Sequence, residues 1–153
     1  ELTALIDPLV EDWIERADEH GIDLGVEREP VRMTGDPTLL QELIANLMDN
    51  ALKYCDEGGK VSLRCAYEGE QVCIEVDDDG PGIPREVREQ VFERFYRHAG
   101  TRASGSGLGL SIAREIVRGH GGGIMIEDGA DGRGTRVRVL LPIDGQHGKT
   151  AGR

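Results

Sequence analysis

The glycines at 105, 107 and 109, in GSGLGL, open onto SIAREIV, whose apolar positions recur at helical spacing. Alternating glycines ahead of a helix leave backbone N–H groups uncrowded, and the helix dipole adds partial positive charge. Together they favour an anion such as phosphate, by about 0.3–1 kcal/mol when exposed and more when sheltered. Ser106 adds a hydroxyl. A tight turn alone accounts for one or two of these glycines, not for three in alternation.

A second chemical stretch lies upstream. ELIANLMDNALKY sets Glu42, Asn46, Asn50 and Lys53 at spacings of 4, 4 and 3, which is one face of a helix. Leu39, Leu43, Leu47 and Ala51 form a neighbouring apolar stripe. A solvated face is the common fate of such polar residues. Asparagine, however, is a mediocre helix former, and two of them here point to use. Amide oxygens suit a hard cation such as Mg²⁺, and amide NH₂ groups reach phosphate or ribose. A third stretch, VDDDGPGIP, turns sharply after a run of aspartates. An ionised aspartate only accepts hydrogen bonds, so it can receive the exocyclic amino group of adenine, while glycine lets the backbone approach the ring. A calcium loop is excluded, because its alternating ligands and closing glutamate are missing.

Two decoys fail. A dinucleotide fingerprint needs a strand before its glycines and GxGxxG spacing, and HAGTRAS ahead of Gly105 is no strand. Gly148-Lys149-Thr150 imitates the end of a P-loop, but Ile143 stands where that loop needs glycine and no helix follows. The net charge of −11 argues against nonspecific nucleic-acid binding, which rests on neutralising phosphates with Lys and Arg. Cys55, Cys65 and Cys73 lack metal-ligand spacing and are expected to be reduced, partly buried thiols. The chain holds no apolar run that could span a bilayer. It opens on Glu1 rather than Met, which suggests a piece of a longer protein.

The elements that must position these residues follow from periodicity. Apolar spacing predicts a helix over Leu2–Glu19, stopped near Gly21. Short strands are expected over Ile22–Glu27 and Val31–Thr34. Asp36-Pro37 reads as a cap and first helical position, opening a helix to Tyr54. Lys60–Tyr67 and Gln71–Asp77 alternate and predict a hairpin. A short helix is expected within Arg85–Phe95 and a polar loop over Tyr96–Ser106. A helix over Gly107–His120 follows, broken by three glycines. Strands at Ile124–Glu127 and Thr135–Leu141 complete the pattern. The expected class is α+β: a two-layer sandwich, its mixed, mostly antiparallel sheet of about five strands packed on three helices. Residues 1–143 are expected to form one domain and 144–153 a disordered tail.

Taken in order, these stretches resemble the catalytic ATP-binding domain of bacterial two-component sensor histidine kinases. That domain shares a Bergerat-type fold with DNA gyrase, the ninety-kilodalton heat-shock chaperone and MutL. NLMDNALKY resembles the N box, DDDGPGIP and GSGLGLSIAREIV the two glycine boxes, and VFERFYR the phenylalanine box. The resemblance implies Mg²⁺ on Asn46, phosphate or ribose on Asn50, and phosphates on Lys53. It lays Tyr54 against adenine and gives the adenine amino group to Asp78. Gly80 and Gly82 line that pocket, and Ile83 packs on the ring. Arg97 reaches the γ-phosphate from a lid; Gly105, Ser106, Gly107, Leu108 and Gly109 close over the phosphates. Thr135 bridges Asp78 through water. Phe92 and Phe95 either anchor the lid or simply pack in the core. Glu42 stands where hydrolysing relatives keep a general base; here it polarises the acceptor imidazole or is a surface charge. Ser106 replaces the commoner threonine, and Asp79 a frequent asparagine.

The implied function is to bind Mg-ATP and donate the γ-phosphoryl group to a histidine on the protein's own dimerisation hairpin. The phosphoryl group then passes to a response regulator's receiver domain. None of His20, His98, His120 and His147 lies in an acceptor-like context, so that hairpin is expected upstream of Glu1. The isolated chain is expected to be monomeric, the parent homodimeric. Its site is expected in the cytoplasm and its parent in the bacterial inner membrane. Three alternatives stay open: a hydrolysing ATPase of the same superfamily, a serine kinase acting on an anti-sigma partner, and a degenerate nucleotide-binding or regulatory module.

Overall fold

The computed structural model describes residues 1–93, 109–129 and 132–144. Among these residues three helices pack on a five-stranded sheet. The helices are α1 (Leu2–Glu19), α2 (Pro37–Tyr54) and α3 (Gly109–Gly119). The strands are β1 (Asp23–Arg28), β2 (Lys60–Glu68), β3 (Gln71–Asp78), β4 (Gly123–Asp128) and β5 (Thr135–Pro142). The sheet order is β1-β2-β3-β5-β4. Only β1 and β2 run parallel; the other three pairings are antiparallel. This is the mixed, mostly antiparallel sandwich that the alternation of elements predicts.

Strand alternation decides which face meets the helices. Leu63, Cys65, Ile74, Val76, Val137 and Val139 share the inner face and are buried. Leu2, Ile6, Trp13 and Ala17 of α1, with Leu43, Ile44, Leu47 and Met48 of α2, close the core from above. The outer face instead carries a row of alternating charge, Glu27–Arg64–Glu75–Arg138, one residue per strand from β1 to β5. Arg64 lies 3.9 Å from Glu27 and 4.0 Å from Glu75, and Arg138 lies 3.6 Å from Glu75. Opposite charges directly across strands each add a few tenths of a kcal/mol, about 0.2–1.

Helix α2 starts where its sequence says. The Asp36 carboxylate accepts the Leu39 N–H at 3.1 Å, and Pro37 occupies the first turn, where no N–H is needed. At the far end of α3, His120 locks the two helices together. Its Nδ1 donates to the Ile116 carbonyl at 2.8 Å, and its Nε2 accepts the Asp36 N–H at 3.1 Å. The start of α2 therefore meets the end of α3, and the two helices run antiparallel.

Three expectations change. Val31–Thr34 is not a strand. Pro30 lacks an N–H, and the following residues find single partners instead of a ladder: the Val31 carbonyl accepts from Leu2, Arg32 N–H donates to the Tyr67 hydroxyl, and Thr34 N–H donates to the Ile143 carbonyl. Val31 itself plugs the core. The short helix expected in Arg85–Phe95 is two 3₁₀ turns, Arg85–Val87 and Gln90–Phe92. The α2 stripe is buried through Leu40 rather than Leu39, which is 39% exposed. Among the described residues no helix is long and apolar enough to cross a membrane.

Candidate functional site

The inner face of the sheet ends in a row that is apolar on β2 and polar on β3, β5 and β4. Val61, Asp78, Thr135 and Asp128 stand side by side across β2, β3, β5 and β4. Asp78 therefore points to the helix side of the sheet, where an ionised carboxylate is poorly solvated. Burial pushes its carboxyl up to about 6, with Asp79, Asp77 and Asp56 adding repulsion; the Gly80 N–H, donated to Asp78 Oδ1 at 2.9 Å, acts in the other direction. Thr135 is buried beside it. The sequence pairs these two residues only through the resemblance; the strand register makes them neighbours.

The loop after β3 lies against the last turn of α2. A Cβ on Gly80 would come 2.9 Å from the Tyr54 carbonyl oxygen and 3.1 Å from Asp78 Oδ1, so only glycine fits without a shift. Gly82 has φ +81 and lies against the Gly134 carbonyl. Asp79 points the other way. Its Oδ1 accepts the Lys60 N–H at 2.8 Å and the Cys55 thiol at 3.7 Å. The aspartate that stands in place of a frequent asparagine thus ties the loop to the start of β2, a task either side chain's oxygen performs. Burial, reinforced by Asp79 and Asp78, pushes the Cys55 thiol up to about 12, so it stays protonated and acts as a donor.

On α2, Glu42 and Lys53 are exposed, and Asn46, Asn50 and Tyr54 are half-buried. The Asn46 Nδ2 atom is buried without a hydrogen-bond partner. Such a group costs about 1–3 kcal/mol when left unpaired, so this amide is placed to meet an incoming acceptor. Ile83 is half-buried and packs on the core edge. Gly109 opens α3, which runs back along α2 from the His120 contact. Arg97, Gly105, Ser106, Gly107 and Leu108 lie outside the described residues, as do Phe95, His98, His147, the Tyr96–Ser106 loop and residues 145–153. Phe92 is buried at 3% exposure, with the Arg114 guanidinium 4.8 Å above its ring, so it packs in the core.

Sequence reasoning missed three contributors. Arg88 bonds the Ile83 carbonyl and Asp128. Gly134 presses on the Asp78 backbone. His120 latches α2 to α3. Only Gly134, inside GRGT, carried a local signal; the Asp128 partner of Arg88 and the Asp36 partner of His120 lie 40 and 84 residues away in sequence.

Residues 35–145 match the family described as histidine kinase-, DNA gyrase B-, and HSP90-like ATPase. The chain is 35% identical over 142 residues to the sensor protein kinase PmrB of Pseudomonas aeruginosa, covering 92% of this chain and 30% of that protein. The chain thus spans under a third of that curated relative. Its fold superposes on the mycobacterial sensor histidine kinase MprB with a TM-score of 0.83 at 35% identity, covering 92% of this chain and 94% of that one. It also superposes on histidine kinase ThkA, solved in complex with the response regulator protein TrrA, with a TM-score of 0.80 at 28% identity, covering 95% of this chain and 41% of that one.

Proposed function

The chain belongs to the histidine kinase-, DNA gyrase B- and HSP90-like ATPases, in their histidine kinase branch, and on that premise we propose that it binds Mg-ATP and serves as phosphoryl donor in a two-component sensor kinase. The observation that carries this is the inward-facing Asp78, beside Thr135, with Gly80 and the Tyr54 backbone forming the wall next to it. A carboxylate facing inward at the mouth of an apolar layer suits a ligand with one outward amino group and a flat apolar body. Adenine has both.

The residues fit a magnesium–nucleotide pair. The orphaned amide of Asn46 either donates to a phosphate oxygen or, turned by 180°, presents its own oxygen to the ion. Among the described residues no three His, Cys, Asp or Glu side chains cluster as metal ligands. Mg²⁺ would therefore be held by Asn46 together with the nucleotide's phosphates, whose charge it neutralises. Asn50 and Lys53 would take the phosphate and ribose end, and Ile83 and Tyr54 the ring. The Gly105–Gly109 amides, with Ser106 and Arg97, would meet the β- and γ-phosphates. Glu42, exposed and one turn before Asn46, would face the acceptor imidazole rather than the adenine. Phosphoryl transfer asks for this positioning and neutralisation more than for covalent help.

The acceptor histidine is proposed to sit on the parent's dimerisation hairpin, and the final acceptor on a response regulator, the partner named for ThkA. The parent is proposed to be a homodimer anchored in the inner membrane. The test is calorimetric titration with ATP, with and without Mg²⁺, beside Asp78→Ala, followed by supply of the hairpin in trans. Binding that strengthens with Mg²⁺ and collapses in the variant, with acid-labile label on the hairpin, is expected. Hydrolysis without transfer would point to the ATPase alternative, label on serine to the serine kinase, and absence of binding to the degenerate module.

A further inference from the structure

Arg88 belongs to no stretch that carries chemistry in the sequence, yet its side chain is only 19% exposed. Its guanidinium makes three contacts in three directions. Nε donates to the Ile83 carbonyl at 2.8 Å, Nη2 to Asp128 Oδ1 at 2.6 Å, and Nη1 reaches the Ile126 carbonyl at 3.5 Å. The first contact is on the loop that carries Gly80, Gly82 and Ile83. The other two are on the last residues of β4. Asp128 lies in the polar row with Thr135 and Asp78. One planar fork thus spans from the loop to the strand end that flanks the proposed adenine acceptor.

That loop needs an external brace. It holds two glycines and two prolines over Gly80–Pro84 and lies outside any strand ladder. Its own backbone gives it little: Gly80 N–H bonds Asp78, and the Pro84 carbonyl accepts from Val87. Without Arg88 the Ile83 carbonyl loses its hydrogen bond, and the Ile83 side chain loses its fixed height above the core. Arg85 also faces Asp128, but at 3.9 Å and 82% exposed, so it offers charge without a brace.

We propose that Arg88 is a positioning residue for the nucleotide base: its fork holds the Ile83 carbonyl against the end of β4, so that the Gly80–Ile83 loop keeps the shape the adenine ring requires. The proposal rests on the adenine reading of Asp78 and adds to it a residue that never touches the ligand. A lysine keeps the charge toward Asp128 but is a point donor on a flexible stem, unable to bond the Ile83 carbonyl and Asp128 in the same fixed plane. Lysine therefore separates a fork from a simple ion pair.

The experiment measures ADP affinity by calorimetry, melting temperature, and amide hydrogen exchange at Gly82 and Ile83, for Arg88→Met and Arg88→Lys. Both variants are expected to lose roughly tenfold in ADP affinity and to exchange the two amides faster, with α2 and β3 amides still protected. Arg88→Lys binding ADP within about twofold of the unsubstituted chain would overturn the proposal, since a charge alone would then suffice. Should Arg88→Met fail to fold, Asp128→Ala removes only the outer anchor; it is expected to weaken ADP several-fold, and unchanged affinity would overturn the proposal. The premise is read separately. If Asp78→Ala binds ADP as tightly as the unsubstituted chain, the adenine reading fails and takes the role of Arg88 with it.

Discussion

Asp78 is held in a position that costs the folded state something. Its carboxyl, pushed up to about 6 by burial, binds a proton more tightly in the native chain than in the unfolded one. The native state then holds more protons between pH 4 and 6, so this group's contribution to stability falls as pH rises through that window and stays unfavourable above it. Asparagine keeps the oxygen that accepts the Gly80 N–H and removes the charge. Asp78→Asn is therefore expected to raise the melting temperature of the nucleotide-free chain at pH 7.5 by roughly 3–6 °C and to abolish ADP binding. Calorimetric scans at pH 7.5 and pH 4 check it; the gain should vanish at the lower pH. The same proton governs the ligand. Adenine's amino group needs an acceptor, so ADP affinity should fall about tenfold per pH unit below 6, with a proton released on binding near pH 6. Titrations in buffers of different ionisation enthalpy would detect that proton, and pH-independent affinity between 5 and 7 would remove Asp78 from the base pocket. Asp78 and Asn46 were legible in the sequence because their chemistry is local: a carboxylate at a strand end, an amide on a polar helix stripe. The fork of Arg88 was not, because nothing within its own turn says what it reaches.

At the scale of elements, the β4–β5 hairpin does more than close the sheet. Gly134 has φ +77, and a Cβ there would drive into the Asp78 carbonyl. Gly132, two residues earlier, has φ +74 with nothing within 4 Å. The pair separates backbone strain from crowding. Gly132→Ala should cost only the left-handed penalty, about 1–2 kcal/mol, and leave ADP affinity unchanged. Gly134→Ala should cost about 2–4 kcal/mol and weaken ADP, because relief of the clash moves Asp78. Equal costs in urea denaturation would mean that the hairpin does not support the site. The helices and the two hairpins were legible from period and caps alone. Val31–Thr34 was not: alternation names a strand, but only the neighbours decide whether a ladder is available, and here Leu2, Tyr67 and Ile143 take the bonds singly. Leu39 and Leu40 were likewise beyond a spacing argument, since a shift of one residue turns a helix by about 100° and the packing partner sets the phase.

Over the whole molecule, 29 acidic residues face 18 basic ones. Many of the arginines are already paired with acids: Arg16 with Asp49 at 2.5 Å, Arg28 with Asp7 at 2.7 Å, Arg136 with Asp77 at 2.9 Å, and Arg138 with Glu68. Such half-exposed pairs contribute about 0–1 kcal/mol each and weaken with salt. Against them stands the surplus. Helix α1 alone carries Asp7, Glu11, Asp12, Glu15, Asp18 and Glu19 with one arginine, and it lies along α2, through Gln41 Nε2 donating to the Leu5 carbonyl and Arg16 bonding Asp49. Self-repulsion of a −11 chain is long-ranged and is screened once the Debye length falls below the spacing of the charges, about 10 Å at 0.1 M salt. The surplus outweighs the pairs, because each pair acts at one contact and the repulsion sums over the surface. The melting temperature should therefore rise by a few degrees between 0.02 and 0.5 M sodium chloride, about 2–4 °C per kcal/mol for a chain of this size. A fall over the same range would mean that the outer-face row Glu27–Arg64–Glu75–Arg138 and the helix pairs dominate. Replacing Glu11 and Glu15 by glutamine decides between the two: it should raise stability at low salt and flatten the salt dependence if repulsion governs, and leave both unchanged if the pairs do.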